Sequence, residues 1–190
     1  MIDRIFTYMA DDFGGKRGFL HFQICRLLQY LGFYRHYKKI DATRVHRLVF
    51  VCMGNICRSS LGEAVAKAEG VDSVSFGLDT RGGAEADPRA IAFANELGLD
   101  MSAHRTSRFA DMSLLPTDLL VAVEPGHAQQ LRRLVGDGPQ ITLLALWHTT
   151  PHIYIHDPYS ANEQYFHKCE TAVTNAAKNL ANHVKFAQKV

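Results

Sequence analysis

Apolar residues in this chain fall into two kinds of run. Short blocks at Leu48-Val49-Phe50-Val51, Ser73 to Leu78, Asp118 to Glu124 and Gln140 to Leu146 have the length and composition of strands buried on both faces. Between them the apolar positions take helical spacing. Asp87-Pro88 reads as an N-cap followed by proline at the first helical position, opening a helix that Gly98 closes. Gly126 to Val135 forms another, stopped by Gly136. Ala161 to Lys185 forms a long last helix that buries Phe166, Cys169, Val173, Ala176, Leu180 and Val184. Strands that alternate with helices predict a four-stranded parallel sheet in a three-layer α/β sandwich, with right-handed crossovers. The first strand then lies beside the topological switch, where open sheets bind ligands at the carboxyl ends of their strands.

Residues 1–46 stand apart as an N-terminal amphipathic helical extension, and residues 47–190 form the α/β domain. From Phe19 to Tyr37, Leu20, Ile24, Leu27, Leu28, Leu31 and Tyr34 recur at helical spacing, beside Arg17, Arg26, Arg35, Lys38 and Lys39. The acidic Asp11 and Asp12, and the lack of a clean apolar stretch with a small-residue cleavage site, argue against a signal peptide. Such an apolar face needs a cover. Phe19, Phe22, Tyr30, Phe33 and Tyr37 narrow the polar side, which favours protein over membrane: the chain's own domain, or a second copy in a homo-oligomer built through this helix.

The chemistry concentrates in Cys52-Met53-Gly54-Asn55-Ile56-Cys57-Arg58-Ser59-Ser60, directly after the first strand. A strand, a tight loop with Gly54 and Asn55, and a helix start form a cradle of backbone N–H groups for an anion. Arg58 offers a planar fork to two phosphate oxygens, and the same positive field favours Cys52 as the nucleophilic thiolate. Ser60-Leu61-Gly62-Glu63 has the form of a capping box, which would start the helix at Ser60. A Walker loop is excluded, because G-x-x-x-x-G-K-[ST] is absent. A zinc pair is excluded too, since no second C-x-x-C follows Cys52 and Cys57.

This stretch resembles the phosphate loop of the low-molecular-weight protein tyrosine phosphatases, V-C-x-G-N-I-C-R-S-P, and the likeness runs from about Arg47 to the C-terminus. The resemblance implies that Cys52 attacks phosphorus, that Arg58 binds the phosphoryl oxygens, and that Asn55 and Ser59 shape the loop and stabilise the thiolate. Met53, Gly54, Ile56 and Cys57 complete the substrate-binding loop. Asp157-Pro158-Tyr159 matches the family's D-P-Y, with Asp157 as general acid and Tyr159 as a wall of the pocket. A carboxylic acid on a facing loop is also what the departing oxygen requires chemically. His104 and Ser75 correspond to a supporting network around the loop asparagine. Three positions depart from the family: Ser60 replaces a proline, Ser160 a second aromatic, and Gly77 to Gly83 carries no aromatic where many relatives grip the substrate ring.

Composition adds limits. The chain has 190 residues and a formal net charge of +2, enough for one substantial core and without the strong basicity of a nucleic-acid binder. Four cysteines at unrelated spacings make no disulfide framework, which favours a reducing, cytoplasmic location. Cys52 and Cys57, in one tight loop, are candidates for a protective disulfide. His148, His152 and His156 form an H-x₃-H-x₃-H run, but Pro151 breaks any helix that would align them, so no metal and no cofactor are expected. The reading is a metal-independent phosphatase acting on phosphotyrosine-type aryl phosphates of a protein substrate through a phosphoryl-cysteine. Two alternatives stay open: an arsenate reductase on the same scaffold, disfavoured because residues 70 to 120 lack the cysteine pair a thiol relay needs, and a phosphoprotein-binding module without turnover.

Overall fold

The computed structural model of the protein describes residues 2–189. Its frame is a four-stranded parallel sheet of β1 (Arg47–Cys52), β2 (Ser73–Gly77), β3 (Asp118–Ala122) and β4 (Gln140–Leu143), in the order β2-β1-β3-β4. The central β1 is buried along nearly its whole length, as its unbroken apolar run requires. Its register pairs Cys52 with Gly77 on one side and Val51 with Ala122 on the other. The sheet is built outward from β1 in both directions, to β2 on one side and to β3 and β4 on the other, so the residues after Cys52 emerge at the topological switch.

Helices α3 (Arg58–Ala68), α4 (Pro88–Glu96) and α5 (Pro125–Val135) make the crossovers, and α6 (Glu163–Ala187), after the last strand, completes the three-layer α/β architecture. Helix α3 packs on β1, β2 and α6, while α5 lies against β3 and β4. The expected Asp87 cap is present, its side chain accepting from the Arg89 N–H at 2.9 Å with Pro88 following. The fourth strand is shorter than its apolar run. After Leu143 the chain turns into a 3₁₀ segment, Leu144–Trp147, because Thr142 is tied on two sides: its hydroxyl donates to the Tyr37 carbonyl (2.7 Å) and accepts from Trp147 Nε1 (2.9 Å).

The N-terminal segment differs from the single helix its periodicity suggests. It forms a hairpin of α1 (Ile2–Phe13) and α2 (Lys16–Tyr30), followed by 3₁₀ turns at Arg35–Lys38 and Ala42–Arg44. Helix α2 stops at Tyr30 because Gly32, at φ 84°, takes a left-handed turn. The hairpin rests on α6 and on the loop leading to Asp157. Asp11 accepts from Asn162 Nδ2 at 2.7 Å, Asp12 pairs with Lys168 at 2.6 Å, and His21 meets the Tyr154 hydroxyl at 3.3 Å. Gly18 is buried where any Cβ would collide with the Phe13 carbonyl, so glycine is what lets the two helices close on each other.

Beneath α3, the carboxyl of Glu170 on α6 is wholly buried and neither oxygen has a hydrogen-bond partner. Burial pushes its pKa up from 4.5 to about 8. The neutral form is therefore the one the folded protein holds. The unfolded chain loses this proton above pH 4.5 and the folded chain only near pH 8, so stability falls by a few kcal/mol as pH rises through that window. Thermal melts across this range should show Glu170→Gln losing less stability than the parent and melting higher at pH 8. Parallel pH slopes for the two proteins would refute the assignment.

Candidate active site

At the carboxyl end of β1 the chain is clamped before it turns. The Leu78 and Asp79 N–H groups donate to the carbonyls of Cys52 (3.0 Å) and Met53 (2.9 Å). A Cβ at Gly77 would lie 2.7 Å from the Met53 carbonyl, so this approach depends on glycine. The loop from Cys52 to Arg58 then curls above the N-terminus of α3. That helix begins at Arg58 with Cys57 at the cap position, earlier than the capping-box pattern predicts. Ser60 does not cap, because its hydroxyl donates back to the Cys57 carbonyl at 2.7 Å.

Asn55 holds the loop's shape. It is the one described non-glycine residue with positive φ, at 59°, and it is fully buried. Such a conformation persists only where the surroundings fix it. Here they do so on every side. The Asn55 amide donates to Ser59 Oγ (2.9 Å) and Ser75 Oγ (2.8 Å), its side-chain oxygen accepts from the Ser107 N–H (2.9 Å), and His104 Nε2 donates to its carbonyl (2.8 Å). Ser75 in turn donates to Glu63 Oε2 at 2.6 Å.

This network ends on sulfur. With its lone pairs facing Asn55, Ser59 directs its hydroxyl proton toward Cys52 Sγ, 3.0 Å away, and the Asn55 N–H approaches the same sulfur at 3.3 Å. Cys52 is almost wholly buried. Cys57 is buried as well, and desolvation together with the nearby Glu170 carboxyl pushes its thiol pKa up, so Cys57 is held as the protonated thiol. Both are free thiols, as are Cys25 and Cys169.

Arg58 is buried with three partners. Its Nη1 bonds Glu124 Oε1 (2.6 Å) and the Ile155 carbonyl (2.9 Å), and its Nη2 pairs with Asp157 Oδ2 at 2.7 Å. Burial by itself would loosen the guanidinium proton, but Asp157 and Glu124 outweigh it and push the pKa up. Glu124 was not singled out by sequence reasoning. Its signal was available, for it sits at the carboxyl end of β3, directly before Pro125 of α5. His127, one turn into α5, is buried with Nδ1 unpartnered, and desolvation lowers its pKa to about 4.

Cys52, Met53, Gly54, Ile56, Cys57, Arg58, Asp157 and Tyr159 line one cleft of about 220 Å³. Its rim is apolar through Met53 and Ile56 and aromatic through the exposed Tyr159. The histidine run lies outside it. His156 Nδ1 bonds the Tyr154 hydroxyl at 2.6 Å, His148 and His152 stack edge to face, and no cluster of three potential metal ligands occurs among the described residues.

A parallel α/β sheet that ends its central strand in a cysteine, with an arginine six residues beyond at a helix N-terminus, defines the class of cysteine-dependent phosphatases. The chain matches the family described as "Low molecular weight phosphotyrosine protein phosphatase" over residues 47–190, and it belongs to that family. It is 31% identical over 156 residues to a low molecular weight protein-tyrosine-phosphatase of Streptomyces coelicolor, covering 74% of this chain and 94% of the relative. Among solved structures, the tyrosine phosphatase AmsI of Erwinia amylovora superposes with a TM-score of 0.64 at 28% identity, covering 73% of this chain and 93% of that one. The arginine phosphatase YwlE of Geobacillus stearothermophilus shares the fold, with a TM-score of 0.65 at 22% identity over 76% of this chain and 96% of that one. Membership makes this chain a phosphotyrosine phosphatase.

Proposed function

We propose that the cleft hydrolyses a phosphotyrosine side chain of a protein in two in-line displacements with named residues in each role. The observation that carries this is convergence: the sulfur held by Ser59 and Asn55, the buried guanidinium and the Asp157 carboxyl all line one cleft. The first step joins Cys52 Sγ to phosphorus and breaks the bond from phosphorus to the aryl oxygen, which takes a proton from Asp157. A water then attacks phosphorus and gives its proton to the Asp157 carboxylate. The sulfur–phosphorus bond breaks, inorganic phosphate leaves and the thiolate returns.

Arg58 works by charge and geometry. Its Nη1 bonds to Glu124 and Ile155 fix the plane of the guanidinium, which leaves the face bearing Nη2 for phosphoryl oxygens. An arriving dianion competes for the group that Asp157 pairs with, and so frees that carboxyl to reach the leaving oxygen. Met53, Gly54, Ile56, Cys57 and Tyr159 bound the space for the aryl ring, while Ser75 and His104 act through Asn55. Free thiols throughout support a reducing compartment such as the cytoplasm, and residues 1–46 are read as an extension carried by the phosphatase domain.

Acid quench during turnover of an aryl phosphate tests the scheme. Mass spectrometry of the quenched protein should find a phosphoryl group on Cys52 and on no other residue. Phosphate on another side chain, or turnover that a chelator abolishes, would replace it with a different mechanism.

A further inference from the structure

Ten of the sixteen large hydrophobic side chains exposed among the described residues belong to the first 33 positions. The reason is visible in α2, which is apolar on two sides. One side is used: Phe22 packs on Phe13, ring centroids 5.1 Å apart, and reaches His152, while His21 reaches Tyr154. The other carries Leu20, Ile24, Leu27 and Leu31, spaced i, i+4, i+7 and i+11, and between 46% and 59% of each is exposed. So the hairpin is docked by its inner side, and the outer stripe remains uncovered.

Charge decides what covers it. From Phe13 to Ile40 the sequence contains six Lys and Arg residues and no Asp or Glu. Lys38 is engaged by the Leu146 carbonyl at 2.8 Å, while Lys16, Arg17, Arg26, Arg35 and Lys39 are exposed and form no ion pair with a described residue. The extension's acidic Asp11 and Asp12 are turned the other way, onto Asn162 and Lys168. A second copy meeting this face through α2 would bring unpaired cations together, and α2 carries no carboxylate to answer them. An anionic lipid surface supplies apolar depth for the stripe and negative headgroups for its flanks. No described helix is long and apolar enough to cross a membrane, so the contact lies in the interfacial plane.

We propose that the N-terminal hairpin docks the protein on an anionic bilayer surface, with Leu20, Ile24, Leu27 and Leu31 inserted and Arg17 and Arg26 at the headgroups. Docking by this face leaves the catalytic cleft assembled, because the hairpin's grip on the loop before Asp157 is made by its other side.

Co-sedimentation of the full chain with vesicles tests this. Equimolar phosphatidylserine and phosphatidylcholine should retain the protein at low salt, and phosphatidylcholine alone should not. Leu20→Glu with Leu27→Glu should abolish retention, and Arg17→Gln or Arg26→Gln should weaken it roughly fivefold each, all three variants with parental activity on a small soluble aryl phosphate. Failure of the parent to sediment with the anionic vesicles would overturn the proposal. So would a dimer by light scattering that Leu20→Glu with Leu27→Glu dissolves, which would assign the stripe to a second copy.

Discussion

Cys52→Ser is expected to lower kcat on aryl phosphates by roughly 10⁴–10⁶-fold, the range in which loss of a nucleophile that acts with its partners falls. The hydroxyl is far less nucleophilic at neutral pH than sulfur, and the groups around the sulfur cannot make up the difference. Ser59 Oγ at 3.0 Å and the Asn55 N–H at 3.3 Å both donate toward this atom; neither is a base that would take a serine proton. The fold should survive, since serine is no larger and the two donors still find an oxygen acceptor. Oxyanion binding, measured by calorimetry with inorganic phosphate, should persist because Arg58 and the α3 N-terminus are untouched. Turnover near the parental rate would remove Cys52 from the mechanism.

Asp157→Asn is expected to cost roughly 10²–10⁴-fold on aryl phosphates with poor leaving groups and much less on those with good ones. Only a basic phenoxide needs its proton delivered. Asparagine keeps the size and the turn geometry, in which Asp157 Oδ1 accepts from the Tyr159 N–H at 3.1 Å. A plot of rate against leaving-group acidity should therefore steepen in the variant. Equal losses across the series would show that the carboxyl serves to hold Arg58, through its 2.7 Å ion pair, and not to donate a proton.

Most of the sheet was legible because parallel strands buried on both faces leave unbroken apolar runs, and Leu48 to Val51 and Asp118 to Glu124 carry little else. The phosphate loop was legible for a different reason: its chemistry is compressed into consecutive residues. What lay beyond the sequence was anything set by distant partners. The place of Glu124 after β3 marks it as near the site, yet nothing local names Arg58, 66 residues earlier in the chain, as its partner. The strained backbone of Asn55 is fixed by Ser75 on β2 and by His104 and Ser107 in the loop after α4. The shortened β4 depends on Tyr37, 105 residues away. Helical spacing likewise marked the outer stripe of α2 as apolar, yet could not say that the aromatic side would be the one to dock.

The distances between partners in Arg58's environment set when the enzyme comes to life during synthesis. Its bonds to Glu124 and to the Ile155 carbonyl span 66 and 97 residues, and the Asp157 pair closes last. Non-local contacts of this kind form late, after the loop-closure entropy has been overcome. A ribosome-bound chain that has released the nucleophile loop still lacks the carboxylates that orient its arginine, and α6, which supports that loop through α3, has yet to emerge. On the proposed roles, phosphatase activity therefore arrives with the final third of the polypeptide, and a product truncated before Asp157 is expected to carry Cys52 without the means to turn over.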